Sequence, residues 1–164
     1  MKNFFLILTL FFGFISCSQE SLSDVLKQYN TESIPYISVK ELAMPKTHAL
    51  ILDAREINEF KVSHIKDAIY VGYDDFNIEK TKSLLHDENI MIVVYCSIGV
   101  RSEDIAEKLK KEGYRNVYNL FGGIFEWKNN NFTVYNSDDK ATEDVHAFSK
   151  EWSQWLLKGN KIYD

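Results

Sequence analysis

Three shortages limit what this 164-residue chain can do. Basic residues are outnumbered, 19 Lys and Arg against 24 Asp and Glu, for a formal charge of −5. Such a balance argues against a nucleic-acid partner, whose phosphates need a basic footprint, although an acidic protein can still hold a small anion locally. The four histidines, His48, His64, His86 and His146, are scattered, and neither cysteine stands at ligand spacing from a histidine or from the other, so no metal site emerges. There are only two cysteines, Cys17 and Cys96, too few for a disulfide scaffold.

What remains is ordinary globular material. The composition, 45% hydrophobic with 14% aromatic and 26% charged residues, suits one domain with one well-buried core. No internal repeat or low-complexity segment interrupts it.

The opening stretch "MKNFFLILTLFFGFISCS" has a Lys2 n-region, an apolar run from Phe4 to Phe12 and small residues before Cys17, the pattern of a secretory signal. The run is short for a membrane span of about 20 residues. An uncleaved anchor and an ordinary signal cut near Ser16 are the competing readings. "FISC" resembles the lipobox of bacterial lipoproteins, with Phe14 where leucine is commonest. That resemblance implies a leader over 1–16, an acylated Cys17 as first mature residue, a membrane partner reached through that lipid, and a place in the cell envelope on the periplasmic side of the inner or outer membrane. Residues 17–35 then read as a tether carrying one short helix, "SLSDVLKQY". With Cys17 lipidated, Cys96 has no partner within the chain, which directs attention to a reactive thiol.

From "PYISVKEL" onward, "HALILDA", "AIYVG", "IMIVVY" and "NVYNL" read as strands, alternating with helices near Glu56–Phe60, Asn77–Leu85, Ser102–Glu112 and Ile124–Asn129. The rhythm predicts an α/β fold with a central parallel sheet covered on both faces. Ser102 is the expected cap of the third helix, Glu103 and Asp104 fill its first turn, Lys108, Lys110 and Lys111 its last, and Gly113 stops it.

The stretch "VVYCSIGVRSEDIAEKL" therefore sets Cys96 where a strand ends and a loop leads into a helix N-terminus. Ligands of open α/β sheets bind beyond the carboxyl ends of the strands, and unpaired N–H groups of such a loop favour an anion. They favour the thiolate too, the reactive form of cysteine. A lone cysteine ending an apolar strand is usually packing; Gly99, Arg101 and the capped helix within six positions favour chemistry instead.

Three blocks, "ILDAREINEFKVSHIKDAIYV", "IVVYCSIGVRSEDIAEKLKKEGYRNVYNL" and "FGGIFEW", together resemble the rhodaneses, in particular the single-domain sulfurtransferases. The matching residues are Asp53, Arg55, Glu59, Phe60, His64, Ile65 and Ala68, then the loop at Cys96, then Gly122, Gly123 and Trp127. The resemblance implies a three-layer α/β domain over 36–132 with a mostly parallel five-stranded sheet. It also implies a sulfur relay without a cofactor. The Cys96 thiolate takes the outer sulfur of thiosulfate, a persulfide or a polysulfide, holds it as a persulfide, and passes it to a thiol or cyanide-like acceptor. Ser97, Ile98, Gly99, Val100, Arg101 and Ser102 are the expected substrate-binding cradle, with Asp53, Arg55 and His64 as supporting residues.

Several details stay open at this level. Arg101 has the geometry to hold a substrate anion or to brace the turn by pairing with Glu103 or another loop carboxylate. Glu103 and Asp104 are expected close to the cradle, where they weaken binding of a dianion. "SHIKDA" departs from the family's usual turn at Ser63, Lys66 and Asp67. The related phosphatases have five residues between cysteine and arginine, whereas Cys96 and Arg101 enclose four, which ranks phosphatase or arsenate reductase activity low. A non-turnover binding or redox-sensing module is the main alternative. Finally, 133–164 is expected to carry an amphipathic helix, Thr142–Gly159, with Val145, Phe148, Trp152, Trp155 and Leu156 on one face, packed on the domain or docking a protein partner.

Overall fold

The computed structural model describes residues 21–164 except His86 and Glu88, so the leader and Cys17 lie outside the described residues. Helix α1 (Leu22–Tyr29) opens with a capping box between Ser21 and Asp24. Its Val25 and Leu26 are buried, which lays this segment on the domain. There follow β1 (Tyr36–Ile37), α2 (Val39–Leu42), β2 (Ala49–Asp53), α3 (Ile57–Val62), β3 (Ile69–Tyr70), α4 (Ile78–Leu84), β4 (Met91–Tyr95), α5 (Arg101–Lys111), β5 (Val117–Leu120) and α6 (Gly123–Asn129).

These five strands form one parallel sheet in the order β1-β5-β4-β2-β3. Alternation along β4 explains the layering. Val93 and Tyr95 join a cluster with Leu26, Ile124 and Phe125, while Ile92 and Val94 join another with Ile105, Ala106 and Leu109 of α5. Both faces are covered, so a near-continuous apolar run is stable there as a strand. The chain leaves β2 toward β3 on one side and leaves β4 toward β5 on the other. The loops after these two neighbours diverge, and the crevice between them lies where Cys96 ends β4.

Two expectations about α5 change in detail. The helix starts at Arg101 with Val100 as an N-cap that makes no side-chain bond, so Ser102 is inside the helix and its hydroxyl is free for another task. Glu103 is buried and turned to Thr31 and Ser33, whose Oγ1 and N–H donate to it at 3.1 and 3.2 Å. Those contacts engage it against the segment after α1. Asp104 is exposed and accepts from the Tyr73 hydroxyl at 2.6 Å. In the departed turn, Asp67 has φ 60°, a left-handed conformation that aspartate tolerates better than most residues.

The expected helix over Thr142–Gly159 does not form. Beyond β6 (Val134–Tyr135) and β7 (Ala141–Thr142), β8 (Asp144–His146) pairs in parallel with β9 (Asn160–Ile162), and only one 3₁₀ turn, Trp152–Trp155, lies between. Phe148 at φ 64° breaks any helix there. The apolar spacing is real, but pairing of β8 with the tail satisfies the backbone and overrides local preference. Val145, Ala147 and Leu156 still pack into the cluster that contains Val93.

Candidate active site

Cys96 is 2% exposed and sits at the base of a pocket of about 180 Å³ lined by Cys96, Ser97, Ile98, Val100, Arg101, Phe148 and Trp152. Of the N–H groups from Ser97 to Ser102, that of Gly99 is the one with a protein acceptor among the described residues, and the acceptor is Cys96 Sγ at 3.2 Å. The others are left for a ligand. Ser102 Oγ lies 3.5 Å from the same sulfur and donates to Asn119 Oδ1 at 2.7 Å.

The loop holds this shape because its carbonyls are occupied. Gly99 C=O accepts from Asn119 Nδ2 at 2.8 Å and from Asn30 Nδ2 at 2.9 Å. Cys96 C=O and Ser97 C=O accept from the N–H groups of Ile124 and Phe125 at 3.0 and 3.1 Å, the otherwise unpaired first donors of α6. That contact is possible only because residue 123 has no side chain: a Cβ there would stand 2.2 Å from Cys96 O and 2.7 Å from Ser97 O. Gly99 itself, at φ 112°, occupies backbone space closed to other residues.

Arg101 makes both of its guanidinium forks available to one carboxylate. Nη1 and Nη2 donate to Glu59 Oε2 and Oε1 at 2.7 and 2.8 Å, and Nη2 reaches Ser97 Oγ at 3.0 Å. Ser97 Oγ in turn donates to Glu59 Oε1 at 3.1 Å. The brace considered for Arg101 therefore exists, but its partner comes from α3 and not from Glu103. Burial pushes Glu59 toward its neutral form, yet the hydrogen bonds and charge of Arg101, with the charge of Arg55, hold its carboxyl below the ordinary range. Burial likewise opposes the charge of Arg101; Glu59 and the negative charge Cys96 can carry more than offset it, and the guanidinium holds its proton more tightly than usual.

A rhodanese-like domain model matches residues 38–130, more than half of the chain. The chain belongs to the rhodanese-like domain family. It is 35% identical over 101 residues to a Bacillus subtilis (strain 168) protein named "Putative sulfur carrier protein YrkF", covering 60% of this chain and 53% of that one. It is also 35% identical over 82 residues to the tRNA uridine(34) hydroxylase of Sodalis glossinidius (strain morsitans), covering 48% of this chain and 23% of the relative. The chain thus spans from about a quarter to about half the length of these relatives. Among solved structures, the BH2092 protein of Bacillus halodurans superposes with a TM-score of 0.57 at 23% identity, over 71% of this chain and 88% of that one. A thiosulfate sulfurtransferase of Pseudomonas aeruginosa gives 0.58 at 21% identity, over 75% and 23%. At these identities the superpositions show the fold.

The residues expected to support the site of this rhodanese-like domain, Asp53, Arg55 and His64, lie outside the pocket lining. Asp53 and Arg55 are fully buried and joined at 2.6 Å; Arg55 also donates to Ser63 C=O at 2.6 Å, and the Tyr95 hydroxyl donates to Asp53. His64 stacks on Phe60 with ring centroids 4.2 Å apart, places Nδ1 3.2 Å from Phe60 C=O, and pairs its backbone with Tyr135. These groups tie the end of β2 to β4 and to the C-terminal segment.

Four site residues were not legible as such. Glu59 stood in the family block with no assigned partner, and Asn119 was a polar residue inside an apolar strand, a signal in itself. Phe148 and Trp152 were read as one face of a helix, yet they form the outer wall of the pocket. No group of metal-ligating side chains occurs among the described residues.

Proposed function

We propose that this domain is a sulfurtransferase that carries sulfane sulfur as a persulfide on Cys96. The observation that carries the reading is the loop itself: in the Ser97–Ser102 loop that follows Cys96, the Gly99 N–H donates to Cys96 Sγ at 3.2 Å and the other N–H groups have no protein acceptor among the described residues. The thiolate attacks the outer sulfur of thiosulfate, a persulfide or a polysulfide. A bond forms from Sγ to that sulfur, the donor's own bond to it breaks, and the electron pair leaves with sulfite or a thiolate. The loop donors are already aimed where negative charge gathers, so little reorganisation is needed. A thiol or cyanide-like acceptor then attacks the same outer sulfur and restores the thiolate. Cys96 and the backbone supply this chemistry without a cofactor.

Incubating the purified chain with thiosulfate, and separately with polysulfide, tests this by intact mass. The expected result is a gain of one sulfur, reversed by cyanide and lost in Cys96→Ser. No gain with any donor overturns the reading and favours a binding or redox-sensing module. By the same proposal, a lipid on Cys17 holds the domain at the cell envelope; Cys17→Ser is expected to move the protein from the membrane fraction to the soluble one.

A further inference from the structure

The outer part of the pocket is made of carbon. Ile98 and Val100 line it from the loop, Phe148 and Trp152 from the C-terminal segment. Its polar side chains are committed elsewhere: Ser97 to Glu59, and Arg101 to Glu59 and Ser97. The other arginine nearby, Arg55, is fully buried against Asp53. A dianion entering here would lose water without meeting an unpaired cation side chain, and desolvated charge is costly unless paired.

Phe148 adds a second observation. Its backbone is held at φ 64°, a costly conformation for a bulky residue, with its N–H donating to His146 Nδ1 at 3.2 Å. The ring lies 4.7 Å from the Arg101 guanidinium and is still 46% exposed. Trp152 is held in turn by an edge contact from Tyr29, centroids 5.5 Å apart. Two aromatic rings, neither fully buried, are thus fixed at the mouth above a reactive sulfur.

We propose that the donor is an organic persulfide with an uncharged, apolar organic group, seated among Ile98, Val100, Phe148 and Trp152 while its outer sulfur meets Cys96. This rests on the sulfur-transfer reading and names its substrate class. In the step, Cys96 Sγ bonds to the outer sulfur of R–S–S–H and the R–S to sulfur bond breaks. The electron pair leaves as R–S⁻, and the proton stays on the transferred sulfur. The transfer is redox-neutral and needs no other reactant.

The test measures the rate of one-sulfur gain by the purified full chain with benzyl persulfide, glutathione persulfide and thiosulfate, corrected with Cys96→Ser. It is repeated in Phe148→Gly, which suits the left-handed backbone, and in Trp152→Leu. The benzyl-to-glutathione ratio is expected to fall about tenfold in Phe148→Gly and by a smaller factor in Trp152→Leu; intrinsic donor reactivity cancels in this comparison. In the parent chain, thiosulfate is expected to be the slowest of the three. A ratio unchanged in both variants, or thiosulfate loading fastest, overturns the apolar-donor proposal and leaves sulfur transfer standing. No loading by any of the three overturns both.

Discussion

The two walls of the Cys96 pocket are built on different physics. The inner wall, Cys96–Ser102, is fixed by polar contacts from five directions: Asn30, Asn119, Glu59 and the N–H groups of Ile124 and Phe125. The outer wall, Phe148 and Trp152, is held by ring contacts and one strained backbone position. A cradle that must stabilise charge needs donors fixed in advance, whereas a surface that selects an organic group needs only apolar area in the right place. Damage to the inner wall is therefore expected to cost stability and turnover together, and damage to the outer wall to change preference with little loss of fold.

The largest break is expected deepest behind the loop. Asp53→Ala leaves Arg55 charged, buried and unpaired, and about 3–5 kcal/mol of stability should be lost, measured by denaturant unfolding. Gly123→Ala comes next. The new Cβ would meet the carbonyls of Cys96 and Ser97, at a cost of about 3 kcal/mol from overpacking and backbone strain, and sulfur loading should fall with it. Asn119→Ala removes one of the two donors to the Gly99 carbonyl and the Ser102 acceptor, costing about 1–3 kcal/mol; a thermal melt beside a loading assay checks it.

Glu59→Gln sharpens the comparison through pH. Because the carboxyl of Glu59 titrates below its ordinary value of 4.5 in the folded protein, its stabilising contribution is complete above that value and is lost as the pH falls through the depressed one. Unfolding curves of the parent and Glu59→Gln are therefore expected to differ by about 1 kcal/mol at neutral pH and to converge as the pH falls through that depressed value. The smallest stability change, within about 0.5 kcal/mol, is expected for Phe148→Gly, whose effect belongs to donor preference.

Much of this was legible in advance. The α/β order, the helix stopped by Gly113, and Cys96 at the strand-to-helix loop all follow from patterns a few residues long. The C-terminal segment shows where such patterns fail. Val145, Phe148, Trp152, Trp155 and Leu156 fit a helical face, but the partner of β8 is the tail at Asn160–Ile162, and no local period announces a parallel pairing made across that gap. Ser102 was read as a cap because serines often are; the buried Asn119 claims its hydroxyl instead.

By itself, then, the amino-acid order determined which segments between Ala49 and Asn129 are strands and helices, and that Cys96 stands where a strand leads through a short loop into a helix, since each depends on side-chain period and neighbouring backbone. Tertiary structure alone decided what braces Arg101, what turns the Gly99 carbonyl, and which aromatic rings stand over Cys96. Those answers come from residues far away along the chain, Glu59, Asn30, Asn119, Phe148 and Trp152, and such partners are chosen by packing of the whole domain rather than by any local preference.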